Sequence, residues 1–343
     1  MTQLRVIDAG DDHDEWNRCA AASSGSTFSH QAGWRTIMAD VLGHECLSLA
    51  AVDETGEWRG VLPLVRVRSV LGHYLISLPF LNDGGPLGDS DAQQKLVEHA
   101  VAEAKRSGAS LLELRSRDVV PGPLTPSYRR VAVHLALPSS REELWSETFR
   151  PKLRAQIRRP TKEGMTFRCG RAELDGFYEV FARNMRDLGT PVLPRAFFER
   201  GASLFGTSMI FAAVYTSAGA PVAGACCLHW RDEIEVTWAS SLREYNRHSP
   251  NMLLYASLME EAIDRDAKVF NFGRSEPGGS THRFKLQWGG HDVPLPWPFW
   301  SPHAVVSVPS AKNPFYRVAT EVWSHLPVAV TNRLGPVLAR LLP

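Results

Sequence analysis

The segment NFGRSEPGGSTHRFKLQWGG, residues 271–290, gathers more reactive side chains than any other run of the chain. A lysine, Lys285, stands between Phe284 and Trp288, just after a loop that carries Arg274, Ser275, Glu276, Ser280 and His282. Arg274, Ser275 and His282 are residue types that bind phosphate or sugar hydroxyls, or relay a proton. The plainer reading is a mobile connection through Gly278-Gly279, with Lys285 snorkelling past two aromatic neighbours. Asn271-Phe272-Gly273 reads as the end of a buried strand, and residues 284–288 read as the start of another.

A second group lies at the ends of helical patterns. Asn184, Arg186 and Asp187 close one helix before Gly189-Thr190-Pro191, where they would line an acceptor pocket or sit as ordinary surface charges. Tyr245 and Arg247 precede the helix that begins near residue 251, and Arg247 suits an anionic group. The stretch 141–164 reads as one basic helix, with Arg154 and Arg158 among six cations that could meet phosphates. Asp89 follows a Gly-Pro turn and Asp83 lies nearer to that turn, and either could cap the helix starting at residue 91. No HExxH, Cys/His ligand spacing, GxSxG elbow, Walker A loop or GxGxxG fingerprint occurs, so no metal site is expected.

These residues need a scaffold, and the pattern of turns and periodicities supplies one. In the first half, 47–53 and 58–69 form a hairpin around Glu54-Thr55-Gly56-Glu57, 73–80 is a third strand, 91–108 an amphipathic helix and 109–117 a strand. In the second half a basic helix and a strand precede a helix at 173–189. A three-strand meander follows over 208–241, then a helix at 251–267 and a strand at 268–273. Meander, helix and strand therefore occur twice, which predicts a duplicated α/β (α+β) architecture: 1–140, 141–300, and a helical tail over 301–343. The tail has apolar residues at helical spacing around Trp323 and again from Val328 to Leu342. It reads as a helix packed on the core, or as an interfacial helix near a lipid-linked substrate.

Composition limits the partners. The 343 residues are 44% hydrophobic and 22% charged, with a net charge of +1, which gives no global case for DNA binding or a polybasic membrane coat. Five cysteines in no paired spacing fit a reducing compartment. Neither a signal peptide nor a run of apolar residues long enough to span a bilayer is visible, so the expectation is a cytoplasmic protein, peripheral to the inner face of the membrane at most.

The order of elements over 208–273 resembles that of acyltransferases of the GNAT type. In those folds a strand splays from its neighbour, and the following helix points backbone N–H groups at the donor pyrophosphate. Their usual Arg/Gln-x-x-Gly-x-Gly/Ala loop corresponds to residues 247–252 here, RHSPNM, where Pro250 and Met252 replace the glycines. Four motifs, RPKLRAQIRRPTKEGMTF, RNMRDLGTPVLPRAFFE, NRHSPNMLLYASLMEEA and NFGRSEPGGSTHRFKLQWGG, together resemble the FemAB-like branch of this superfamily. Within it they are most like the members associated with PEP-CTERM/exosortase systems and exopolysaccharide loci.

That resemblance implies two tandem GNAT-like domains. It further implies transfer of an aminoacyl or acyl group, from aminoacyl-tRNA or from an acyl-CoA or acyl carrier, to an amine on a peptidoglycan precursor or other cell-envelope or polysaccharide acceptor. No bound cofactor is implied. In Fem transferases a Phe-Lys pair places the lysine beside the reacting ester, and Phe284-Lys285 matches it, so Lys285 is expected to stabilise the oxyanion. Asp89 falls where these enzymes place an acidic residue. His282 is the candidate proton relay. Arg274, Ser275, Arg247, Tyr245, Asn184, Arg186, Asp187 and Trp288 are the candidate substrate contacts, in a cleft expected at the junction of the domains. The runner-up among enzymes is a CoA- or acyl-carrier-dependent GNAT acyltransferase, and the reading from a different class is a non-catalytic scaffold of exopolysaccharide assembly.

Overall fold

The computed structural model describes residues 3–69, 72–302 and 314–342. It divides into two compact units. The first comprises 1–130, 294–308 and 337–343, and the second 131–293 and 309–336.

The first unit begins β1 (Arg5–Asp8), α1 (His13–Ala22), α2 (Gly33–Asp40), β2 (Glu45–Val52), β3 (Trp58–Ser69), β4 (Gly72–Ile76), α3 (Ser90–Arg106) and β5 (Leu111–Glu113). The β2–β3 hairpin turns where the Asp53 carboxylate accepts the backbone N–H groups of Thr55 and Glu57 at 2.9 and 3.0 Å and Gly56 takes a φ of +89°. Strand β4 lies parallel to β5, pairing Tyr74 with Leu111 and Ile76 with Glu113, and α3 makes the crossover. Helix α3 buries Ala92, Leu96, Val97, Ala100, Val101 and Ala104, residues spaced to fall on one face.

The second unit contains β6 (Arg130–Ala136), α4 (Arg141–Glu143), α5 (Pro151–Lys162), β7 (Thr166–Cys169), α6 (Leu174–Asp187), α7 (Arg195–Phe205), β8 (Met209–Tyr215), β9 (Pro221–Trp230), β10 (Glu233–Ser241), α8 (Pro250–Asp264), β11 (Val269–Ser275), α9 (Ser280–Leu286) and β12 (His291–Leu295). Strand β13 (Phe299–Trp300) and helices α10 (Pro314–His325) and α11 (Val328–Ala339) complete the described chain.

The two sheets follow one plan. The first runs β1-β2-β3-β4-β5-β13 and the second β12-β6-β11-β10-β9-β8-β7. Four antiparallel strands are followed in each by one parallel step across a helix, β4 to β5 over α3 and β10 to β11 over α8. The expected duplication is present, but three boundaries move. Strand β6 pairs with β11, so the divide lies at residue 130 rather than 140. Strand β13 pairs with β5, so residues 294–308 group with the first unit. The tail is two helices broken before Val328, and residues 303–313 of it lie outside the described part.

Two local expectations are also corrected. The basic stretch 141–164 is not one helix: a π-turn over 144–148 interrupts it, and Pro151 starts α5 afresh at its first position. Residues 284–286 belong to helix α9, not to a strand. No helix among the described residues is long and apolar enough to cross a membrane.

Candidate active site

The parallel step of the second sheet is short. Strand β10 meets β11 only through Glu233–Val269, Ile234–Phe270 and Glu235–Asn271. Beyond that point β10 shifts register against β9 between Val236 and Trp238, and β11 shifts against β6 between Asn271 and Arg274. Two irregularities at the same level turn the strands apart. Gly273, at φ +71°, is the residue that lets β11 bend there.

A cavity of about 470 Å³ is lined by the far end of β10 (Ala239, Ser240, Ser241), by Arg243 and Asn246, by Asn251 and Tyr255 of α8, by Ser280, Thr281 and Phe284 of α9, and by Asn184 of α6. Its polar lining is already ordered. Asn184 donates its side-chain N–H to Ser240 Oγ at 3.1 Å, and Asn251 donates to Ser241 Oγ at 2.8 Å. Helix α8 enters this wall with Pro250 at its first position and Ser249 in the left-handed conformation, φ +58°, without a side-chain cap. Pro250 brings no N–H to this end of α8, and the Met252 N–H is used by the Ser249 carbonyl at 2.9 Å.

Lys285 lies one turn after Thr281 and is 4% exposed. Its Nζ donates to the carbonyl of Gly273 at 2.9 Å and to that of Arg274 at 2.8 Å, so it grips β11 at its bend. Burial lowers its pKa to about 7, Glu235 opposing the shift and Arg274 adding to it. Two N–H groups are used by carbonyls in either protonation state. The third position on Nζ is an N–H when the group is charged and a lone pair when it is neutral. The side chain does not itself line the cavity; Thr281 and Phe284 do.

The neighbouring candidates fall into clear places. His282 is buried; its Nδ1 accepts the backbone N–H of Gly278 at 3.0 Å, so Nε2 carries the proton and donates to Asp292 Oδ1 at 2.7 Å. With both ring nitrogens engaged, His282 ties the Gly278-Gly279 loop to β12. Ser275 is buried, and its hydroxyl has no hydrogen-bond partner among the described residues. Arg274 is half-buried and offers its carbonyl to Lys285. Trp288 is wholly buried, edge-on to Phe149 at 5.6 Å and to Phe284 at 6.2 Å, which makes it core rather than a substrate contact.

Other expectations are redistributed. Of the 184–187 group, Asn184 reaches the cavity. Arg186 instead donates to the Leu326 carbonyl at 3.1 Å and pairs with Asp187 at 2.6 Å, bracing the turn after α10. Arg247 is exposed and donates to His248, whose other nitrogen meets Glu163; the arginine on the cavity is Arg243. Tyr245 packs on the core cluster beside His248, 6.2 Å between rings. Arg154 donates to the Trp145 carbonyl at 3.2 Å and Arg158 stacks over the Trp145 ring at 5.4 Å, so both serve the π-turn. Asp89 caps α3, accepting from Ala92 N–H at 2.9 Å. Asp83 does not cap; it is buried against Arg117. The substrate contacts expected at a junction of the domains, from Asn184 to Trp288, all belong to the second unit. No cluster of three or more metal-ligating side chains occurs among the described residues.

Sequence reasoning missed Asp292, Asn251, Tyr255 and the serines of β10. It also missed a cavity of about 490 Å³ in the first unit, lined among others by His30, Asp83, Asp89, Arg117 and the glycine run 84–88. His30 is buried there, donating to the Gly85 carbonyl at 3.0 Å, and burial lowers its pKa.

Residues 147–286 match the family model described as an acetyltransferase (GNAT) domain. No match was found among curated proteins. Three solved structures share the architecture at low identity. FemX has a TM-score of 0.63 at 14% identity, over 86% of this chain and 96% of its own. L-PGS from Bacillus licheniformis has a TM-score of 0.58 at 12%, over 92% and 98%. A tandem GNAT protein from the clavulanic acid biosynthesis pathway has a TM-score of 0.55 at 12%, over 89% and 100%. The fold is therefore two tandem GNAT-like α/β units, the second of which carries the match to the acetyltransferase (GNAT) domain model.

Proposed function

We propose that the second unit transfers an acyl or aminoacyl group to an amine, with the donor lying in the opening between β10 and β11. The observation that carries this reading is the splay itself: a parallel pair that separates after three residues, a cavity of about 470 Å³ beside it, and a buried lysine fixed at the bend. The amine nitrogen attacks the acyl carbon, the C–N bond forms, and the ester C–O or thioester C–S bond breaks. The amine's proton leaves with the departing alkoxide or thiolate. Lys285, in its charged form, offers its third N–H to the oxyanion that forms between these steps.

The acceptor is an amine on a cell-envelope precursor or a polysaccharide sugar. Similarity to FemX and to L-PGS supports an envelope substrate only through the shared fold. Pro250 at the start of α8 and the left-handed Ser249 make this helix a poor cradle for a pyrophosphate, which favours aminoacyl-tRNA over acetyl-CoA as donor. Binding of the purified protein to aminoacyl-tRNA, acetyl-CoA and an acyl carrier thioester, side by side, tests the assignment. Saturable binding of one donor, lost in Ser240→Trp with the fold intact, is expected. Absence of binding and transfer with all three would leave the non-catalytic scaffold.

A further inference from the structure

Helix α11 is built inside out. Thr331, Gly335 and Ala339, four residues apart, face inward: Thr331 and Ala339 are 1% and 2% exposed, and a Cβ on Gly335 would sit 2.9 Å from Val192. The large apolar residues face the other way, with Val330, Leu334, Val337 and Leu338 exposed by 38–49%. A helix of a soluble protein ordinarily buries its large apolar face and presents its small or polar one. On α10, Val318 and Val322, one turn apart, are exposed by 63% and 57%. Six of the ten large hydrophobic side chains exposed among the described residues thus lie on these two helices, which marks a contact surface rather than scattered exposure.

The charges around the stripe say what covers it. From Leu326 to Pro343 the only charged residues are Arg333 and Arg340, seven apart and so on one flank of the Val330–Leu334–Val337 stripe. Arginines flanking an apolar stripe can sink their stems beside it and raise their guanidinium groups to an anionic headgroup layer. Helix α10 adds one exposed cation and one exposed acid, Arg317 and Glu321, so the face stays net positive, and a second copy would bring its own arginines to it with only Glu321 to answer them.

We infer that α10 and α11 rest on an anionic lipid surface, with Val318, Val322, Val330, Leu334 and Val337 in the acyl boundary. This stands whether or not the second unit transfers an acyl group. Co-sedimentation of the full chain with phosphatidylcholine vesicles, with and without phosphatidylglycerol, tests it. Binding is expected to the anionic vesicles and to be weaker by about tenfold on phosphatidylcholine alone. Leu334→Asp/Val337→Asp should lower anionic-vesicle binding by about tenfold or more, and Arg333→Glu/Arg340→Glu should reduce it to the phosphatidylcholine level. Both pairs are solvent-facing, so unchanged thermal melting of the variants separates lost binding from lost folding. Equal binding by the wild type and Leu334→Asp/Val337→Asp overturns the inference. So does absence of vesicle binding, whether the protein stays monomeric or self-associates through this face.

Discussion

The two units repeat one strand order but use the buried cation near the parallel pair differently. In the first unit a cavity of about 490 Å³ lies past the parallel pair β4 and β5, with Arg115 in its wall. Arg115, directly after β5, sends its guanidinium to the carbonyls of Leu78 and Leu81 at 3.3 and 3.0 Å and lies 4.9 Å over the Trp297 ring. The loop it grips carries Leu78 and Phe80 at φ +59° and +72°, a strained path that the buried cation holds in place. The second unit has a cavity of about 470 Å³ beside its own parallel pair. The buried cation there, Lys285, holds the bend of β11 itself through the Gly273 and Arg274 carbonyls. Duplication has left a cavity in both copies, one beside a cation that braces a loop and the other beside a cation that braces the strand itself.

Removing the first unit's buried cation should cost the most. Arg115→Ala removes a buried, hydrogen-bonded charge, so urea unfolding should show a loss of about 3–5 kcal/mol in the first unit. Donor binding by the second should be unchanged in the still-folded fraction. Coupled loss of both would dissolve the contrast. Next, Lys285→Ala should lower the transfer rate by about 10²–10³-fold, and cost stability of about 1–3 kcal/mol through the two carbonyls left unpaired. A variant that melts like the wild type and transfers normally would make Lys285 a spectator.

The pH dependence sharpens the role of that lysine. With its pKa near 7, a cationic role predicts transfer that declines as pH rises through about 7. A rate that climbs through the same range would make the neutral amine a base. Stability moves the other way. Between about 7 and the ordinary lysine value of 10.5, the unfolded chain holds a proton that the folded one does not, so folding strengthens as pH rises across this window. The melting temperature of the wild type should gain on that of Lys285→Met over the same range. Smallest of all, Asp89→Ala should lose only the α3 cap, about 1 kcal/mol, with transfer untouched; a loss of transfer would return Asp89 to the chemistry.

Much of this layout was legible in the residues. The 208–241 meander could be read because its turns are local, with Gly219 and Arg231 at positive φ between β-rich runs. Helices α3, α6 and α8 announced themselves by periodicity. Strands β6, β12 and β13 did not. Two of them find partners far along the chain, β6 with β11 and β13 with β5, and no local pattern encodes a distant edge. Helix α9 failed for another reason: Phe284-Lys285-Leu286 alternates apolar and charged as a strand does, and seven residues are too few to reveal a longer period. Lys285 was found because its neighbourhood was conspicuous. The His282–Asp292 bond and the partition of Arg186 from Asn184 depend on which way side chains turn at a helix end, which spacing alone does not fix.

The position of β13 bears on how the chain comes to be folded. The first sheet receives its closing strand from residues 299–300, after the whole second sheet has been made. During synthesis β5 must therefore wait with an unpaired edge while about half the protein emerges. A fragment ending at residue 130 would keep that edge indefinitely. The order of translation thus favours a late, nearly simultaneous completion of the two sheets, and it sets where this protein cannot be cut.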